Sequence, residues 1–191
     1  MSFIAGDEDS AKFHWIFGQF KYFFEKVPEV FMTDSCQKMN AAILEQFPVP
    51  ATVHLLCVWH ISKNFFTNIK GLMKKSEFST AIRMFWKLAK KTDSKSHDSF
   101  DAEFSSLVEF IENSAMSTNM HLRDPKVFKN AIEWLKIDLY SKRFQWAYRF
   151  TFCHFTAGCQ STQRSESIHR VIKVIKVCIT FIVIIRINKY L

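Results

Sequence analysis

Apolar residues recur at intervals of three and four along much of the chain, a spacing typical of amphipathic helices. A first helix is predicted from the acidic turn at residues 6–10 to about Lys26, and Pro28 ends it. A second is predicted from Ser35 to Phe47. The first helix has an apolar face of six residues, namely Phe13, Ile16, Phe17, Phe20, Phe23 and Phe24.

Short apolar runs separate these helices and predict strands at residues 2–5, 30–32 and 52–57. The predicted order is therefore strand, helix, strand, helix, strand. Such an alternation with short connections predicts the α/β fold class with parallel neighbouring strands.

The middle of the chain shows helical periodicity alone, enough for about four helices between residues 61 and 140. Asp124 and Pro125 are the expected N-cap and first residue of the last of these helices, and 92–99 is the expected polar loop. Beyond Trp146 an irregular stretch is predicted, before a helix that opens near Thr162.

The predicted elements divide the chain into four segments. Residues 1–60 are expected to form part of the α/β core, 61–145 a helical insertion, and 146–176 a closing segment with a helix that carries a glutamate. Residues 177–191 form an apolar tail. The tail's run of β-branched residues suits either a buried strand or a poorly placed tail.

Composition narrows the class of protein. Of 191 residues, 48% are hydrophobic, which excludes a disordered chain, and the four Gly and four Pro disfavour a sandwich of many short strands. The net charge of +8 favours a polyanionic partner. Residues 61–96 hold nine Lys or Arg and two acids, so they carry nearly all of that excess. A solvated helix face explains this stretch as well as a DNA-facing one does.

Two further features bear on location. Five scattered cysteines and a start without the apolar run of a signal peptide predict reduced thiols inside the cell. The longest uncharged apolar run, 177–185, is far shorter than the roughly 20 residues that cross a bilayer, so no membrane span or membrane partner is expected.

Candidate chemistry rests on few residues. Asp34 lies where a predicted strand gives way to a helix, and open α/β sheets place ligand sites there; a capping box with Gln37 is the alternative. Glu166 lies early in a predicted helix, where an ion pair with Arg170 also explains it. Cys57 and His60 could join the cysteines and histidine at 153, 154 and 159 in a zinc site, or be a buried thiol and imidazole.

Taken together, several blocks resemble the Mutator-like element (MULE) transposases. They read FMTDS at 31–35, MNAAI at 39–43, FP at 47–48, HLLCVWHISKN at 54–64 and FTAGCQSTQRSES at 155–167. The resemblance runs from about Phe3 to Lys173 and also covers the transposase-derived far-red-response regulators.

This resemblance implies an RNase H-like core interrupted by an all-helical insertion. It implies that Asp34 and Glu166 are catalytic carboxylates that bind Mg²⁺ or Mn²⁺, and that Cys57 and His60 form a family Cys-x-x-His motif. It further implies a nuclear protein that acts on DNA at transposon ends and target sites, with a homo-oligomer compatible with that role. The basic helical stretch supplies the expected DNA contacts, which are Lys63, Lys70, Lys74, Lys75, Arg83 and Lys87.

The family's first catalytic aspartate has no counterpart among these residues. The resemblance therefore leads to the expectation of a core truncated at its N-terminus, a DDE-type fold that is inactive alone in metal-dependent strand cleavage and transfer. The alternative is a domesticated, non-enzymatic derivative that binds DNA or regulates transcription.

Overall fold

The structure is a computed structural model that describes residues 9–23, 27–34, 36–48, 51–90, 97–154, 156, 159 and 182–184. The chain divides into two compact units. The first combines Met1–His60 with Cys153–Leu191, and the second is Ile61–Phe152.

The first unit has α/β architecture. In chain order its elements are α1 (Ser10–Phe23), β1 (Val30–Thr33), α2 (Gln37–Gln46), β2 (Val53–Leu56) and β3 (Ile182–Ile184). β1 lies in the centre of the sheet order β2-β1-β3. β1 and β2 run parallel, so the predicted alternation and parallel pairing are confirmed for these elements. The strand predicted at 2–5 lies outside the described residues.

The apolar tail contributes a strand to this sheet. Residues 182–184 pair antiparallel with β1, with Val30 opposite Ile184 and Met32 opposite Ile182. Of the two interpretations of the tail, the structure supports the strand for these three residues.

Aromatic side chains hold α1 and α2 on one face of β1. The spacing of α1 places Phe17 and Phe20 on its buried face, and both rings meet Phe31 edge to face at 5.5 and 5.8 Å between centroids. Phe47, just after α2, lies 4.9 Å from the same ring. Since neighbouring strand residues point to opposite faces, Val30 and Met32 form a separate cluster.

The second unit is helical where the structure describes it. Its elements are α3 (Val58–Ile69, whose first three residues belong to the first unit), a 3₁₀-helix (Lys70–Leu72), α4 (Lys75–Ala89), α5 (His97–Ser117), α6 (Met120–Arg123), α7 (Pro125–Glu133), a π-helix (Trp134–Leu139), α8 (Arg143–Trp146) and α9 (Tyr148–Thr151). The predicted helical character of this stretch is confirmed.

A stacked aromatic column forms part of the second unit's core. The rings of Phe65 and Phe85 lie 4.6 Å apart, and those of Phe85 and Trp146 lie 5.6 Å apart, with interplanar angles of 20° and 18°. All three side chains are buried. One residue from each of α3, α4 and α8 thus joins these three helices.

Three local predictions can be compared with this unit. Asp124 does cap α7, because its Oδ1 accepts a hydrogen bond from the backbone N–H of Val127 at 3.1 Å. The predicted loop at 92–99 is wrong at its end, since α5 begins at His97. The irregular stretch predicted beyond Trp146 is wrong for 148–151, which form α9.

Candidate functional site

The candidate site begins where β1 and β2 end together. Their register pairs Thr33 with Leu56, so Asp34 and Cys57 follow at the same edge of the sheet. The backbone N–H of Cys57 donates to the carbonyl of Thr33 at 2.7 Å, which extends the strand pairing to this edge. The parallel pair thereby places Asp34 at a carboxyl end, where open α/β sheets bind ligands.

Asp34 is half-buried and does not cap the following helix. Its Oδ1 accepts a hydrogen bond from the backbone N–H of Cys36 at 3.1 Å, two residues along the chain. Cys36 is itself the N-cap of α2, and no side chain caps that position. The alternative of a capping box between Asp34 and Gln37 is therefore wrong. The carboxylate instead closes a local turn at the end of the strand.

A buried hydrogen-bonded chain lies behind Asp34. The Thr33 hydroxyl donates to the carbonyl oxygen of Asp34 at 2.7 Å, and its Oγ1 lies 2.7 Å from Nε2 of His54. Which of the two atoms donates in the second contact depends on the tautomer of His54. Burial lowers the pKa of His54 to about 4, which keeps the ring neutral near pH 7.

His54 and Thr33 were not among the residues expected at the site. The available signal was a histidine and a threonine inside two apolar strands, since a buried polar side chain requires a partner. Their pairing depended on the register between β1 and β2, which the sequence pattern does not specify.

Cys57 and His60 lie close to the same strand end. Cys57 is fully buried between β2 and α3, and His60 is half-buried in the first turn of α3. The His60 ring meets the Trp59 ring edge to face at 4.8 Å between centroids. The structure thus places this Cys-x-x-His unit at the start of a helix that directly follows the candidate edge.

The next feature is the set of side chains that could donate to a metal ion. In the described part of the chain, no group of three or more His, Cys, Asp or Glu side chains could hold a metal ion. Cys57, His60, Cys153, His154 and Cys159 are all described and form no zinc site. Asp34 offers the carboxylate oxygens that Mg²⁺ and Mn²⁺ prefer. Asp34 alone does not make a site for such ions, and Glu166 lies outside the described residues.

Comparison with known families matches the segment that contains the two strand ends. Residues 2–64 match the family model of the MULE transposase domain. The resemblance inferred from the sequence is confirmed over this stretch, which contains β1, β2 and the candidate edge between them. Asp34, Cys57, His60 and Lys63 fall inside the MULE match, whereas Glu166 and the other basic candidates fall outside it.

Other comparisons add little. A PKS-NRPS hybrid synthetase of Chaetomium globosum is 25% identical over 190 residues, which is 89% of this chain and 4% of that protein. The chain thus spans a small fraction of that relative, and nothing about synthetase activity follows. No solved structure matches the chain. No helix within the described ranges is long and apolar enough to cross a membrane.

The predicted DNA contacts all lie at the surface of the helices from α3 to α4. All six of these side chains are exposed, namely Lys63, Lys70, Lys74, Lys75, Arg83 and Lys87. Lys87 pairs with Glu103 at 3.3 Å, and Arg83 donates to the hydroxyl of Thr80 at 3.1 Å. This surface can meet a polyanion without first unfolding any element.

Proposed function

We propose that this chain contributes the catalytic core of a MULE-type DNA transposase, an RNase H-like domain for metal-dependent cleavage and transfer of DNA strands. One observation carries the proposal: Asp34 stands at the carboxyl end of a parallel strand pair, within the segment that matches the MULE domain. The position suits a ligand-binding carboxylate, and the local turn rather than a helix cap engages its Oδ1.

In this proposal Asp34 and Glu166 bind Mg²⁺ or Mn²⁺. Such ions, when bound, supply charge stabilisation at the phosphodiester and activate the attacking oxygen. The protein's own contribution at this edge is positional. The hydroxyl of Thr33, which also contacts His54, donates to the backbone carbonyl of Asp34, and the N–H of Cys36 orients the Asp34 carboxylate. Two carboxylates are few for two hard cations, so we expect no strand transfer by this chain alone.

The proposed partners are the transposon ends and the target DNA, and the proposed location is the nucleus. The exposed basic side chains on α3, α4 and the 3₁₀-helix between them support DNA contact, since phosphates bind to Lys and Arg through counterion release.

Manganese titration of the purified chain tests the catalytic proposal. We expect Asp34→Asn to weaken Mn²⁺ binding by about 10-fold or more. Loss of a residue that only supports a metal ligand already lowers metal affinity by about this factor, and loss of the ligand itself should lower it at least as much. Glu29→Gln is the matched control, since Glu29 is an exposed acid at the opposite end of β1. Equal Mn²⁺ affinity in the wild type and the Asp34 variant would contradict the metal assignment.

A non-enzymatic, DNA-binding or transcription-regulating derivative is the second candidate. The exposed cations of α3 and α4 support it, because contact with DNA phosphates needs no metal site. It predicts that the chain binds DNA, that Asp34→Asn and Glu166→Gln leave this binding unchanged, and that Mn²⁺ titration shows no site. The two candidates therefore differ in the metal titration and share the DNA binding.

A further inference from the structure

The solvent-facing side of α4 consists of cations and hydroxyls. Its exposed residues within the helix are Lys75, Ser76, Ser79, Arg83 and Lys87. Four of them follow each other at intervals of four residues, from Lys75 to Lys87, so they form one row along the helix. At 1.5 Å per residue, the row is about 18 Å long.

The one acid of α4 is turned away from this row. Glu77 Oε2 accepts a hydrogen bond from the backbone N–H of Lys74 at 2.9 Å, and its Oε1 accepts from the hydroxyl of Ser117 at 3.4 Å. Lys75 and Arg83 make no ion pair with any described residue, while Lys87 has Glu103 as its partner. The exposed row therefore keeps most of its positive charge.

The sequence of α4 places this charge against the helix dipole. Lys74 is the N-cap and Lys75 the first residue, so two cations stand at the positive end of the macrodipole. Cations at this end are unfavourable for the helix, and Glu77 in the same turn offsets part of that effect. The stability of the helix therefore does not explain the cations at this end of the row.

We propose that the Lys75–Lys87 row of α4 binds the phosphate backbone of duplex DNA without reading its sequence. The proposal deepens the proposed function and rests on it, because it assumes that the chain acts on DNA. A row of about 18 Å lies along roughly ten phosphates of both strands, at one charge per 1.7 Å. Ser79, the one neutral member of the row, adds no charge that would repel the phosphates.

Chemistry on the same face argues against other polyanions. A helix that lies on a membrane surface needs large apolar side chains beside its cations, and none is exposed on α4. Single-stranded nucleic acid needs an open aromatic ring for stacking. The two half-buried rings of α4 are Phe78 and Trp86: Phe78 meets the ring of Phe66 at 6.0 Å, and the ammonium of Lys90 lies over Trp86 at 4.8 Å.

The experiment compares two double variants of the full chain that remove equal charge. K75Q/R83Q removes two cations from the α4 row, and K126Q/K129Q removes two exposed cations from α7. Binding to duplexes of roughly 20 bp and unrelated sequence is measured by fluorescence anisotropy between about 50 and 200 mM salt. K75R/R83K keeps the charge and serves as the rescue variant.

We expect K75Q/R83Q to lower the affinity at least about 10-fold and to reduce the slope of log K against log salt by about 1.8, that is 0.9 for each lost phosphate contact. Both K126Q/K129Q and K75R/R83K should keep the wild-type affinity. Each protein should bind duplexes of unrelated sequence with equal affinity. Equal losses in both Gln double variants would overturn the inference and leave the proposed function standing. No duplex binding at low salt would overturn both. Loss of binding to phosphatidylserine vesicles, with duplex binding unchanged, would assign the row to a membrane surface.

Discussion

The two units bury polar groups of different kinds. In the first unit the buried pair is neutral: the Thr33 hydroxyl and the His54 imidazole lie 2.7 Å apart between two parallel strands. In the second unit the pair is charged: the buried guanidinium of Arg149 donates to the half-buried carboxylate of Glu103 at 2.8 Å. A neutral pair avoids the free-energy cost of desolvating a charge, but its contribution to stability depends on pH because the imidazole can be protonated. An ion pair contributes independently of pH near neutrality, but removal of one partner lowers the free energy of unfolding strongly.

The largest effect is expected from breaking the charged pair. Arg149 is 7% exposed, and it also donates to the Ser99 hydroxyl at 2.6 Å. Arg149→Ala removes both contacts and leaves Glu103 with Lys87, at 3.3 Å, as its one ionic partner among the described residues. We expect a loss of about 3 to 5 kcal/mol in the free energy of unfolding, measured by urea denaturation, because two hydrogen bonds to a charged group are lost at about 1.5 to 3 kcal/mol each.

An exposed ion pair supplies the control for this change. Lys136 lies 2.6 Å from Glu112, but its side chain is 53% exposed. Lys136→Ala should therefore cost about 0 to 1 kcal/mol. If the two substitutions destabilise the chain equally, burial does not distinguish the ion pairs of the second unit.

The next effect belongs to the neutral pair and appears as a dependence on pH. Burial lowers the pKa of His54 from 6.5 to about 4, so the unfolded chain binds the proton first as the pH falls. The stability due to neutral His54 is complete above pH 6.5, declines as the pH falls towards about 4, and levels off below. The change amounts to about 3 kcal/mol.

Urea denaturation at several pH values measures this difference between wild type and His54→Gln. The wild type should lose stability relative to the variant between pH 6.5 and about 4, because Gln does not titrate. A constant difference across that window would contradict the assignment of a neutral, buried His54. In that case the contrast between the two units would rest on Arg149 alone.

Much of the fold was predictable because local rules decided it. The Phe spacing of α1, the β-branched runs of β1 and β2 and the Asp-Pro start of α7 each predict their element from neighbouring residues. The pairing of β3 with β1 was not predictable. It joins residues about 150 positions apart, and alternation along a strand does not specify its partner.

The candidate site was predictable in position and less so in detail. A strand followed by Asp34 pointed to the sheet edge, and the MULE resemblance pointed to the same residue. The alternative of a capping box at Asp34 was wrong, because an Asp just before a helix fits both that box and the observed turn to Cys36. The Thr33–His54 pair depends on strand register, which the sequence does not give directly. Glu166 remains a prediction.

The smallest expected effect on stability comes from an exposed hydrogen bond in the second unit, and it is to be compared with the effect of the Arg149–Glu103 ion pair. Asp124 is exposed, and its Oδ1 accepts from the N–H of Val127 at the start of α7. Asp124→Ala removes this N-cap and should lower the free energy of unfolding by about 1 kcal/mol. Asp138→Ala is the matched control, because it removes another exposed acid, whose 3.8 Å pair with Lys142 should contribute about 0.5 kcal/mol or less. A loss at Asp124 as large as that at Arg149 would mean that α7 is held mainly by its cap, and that burial of charge does not rank the polar contacts of this unit.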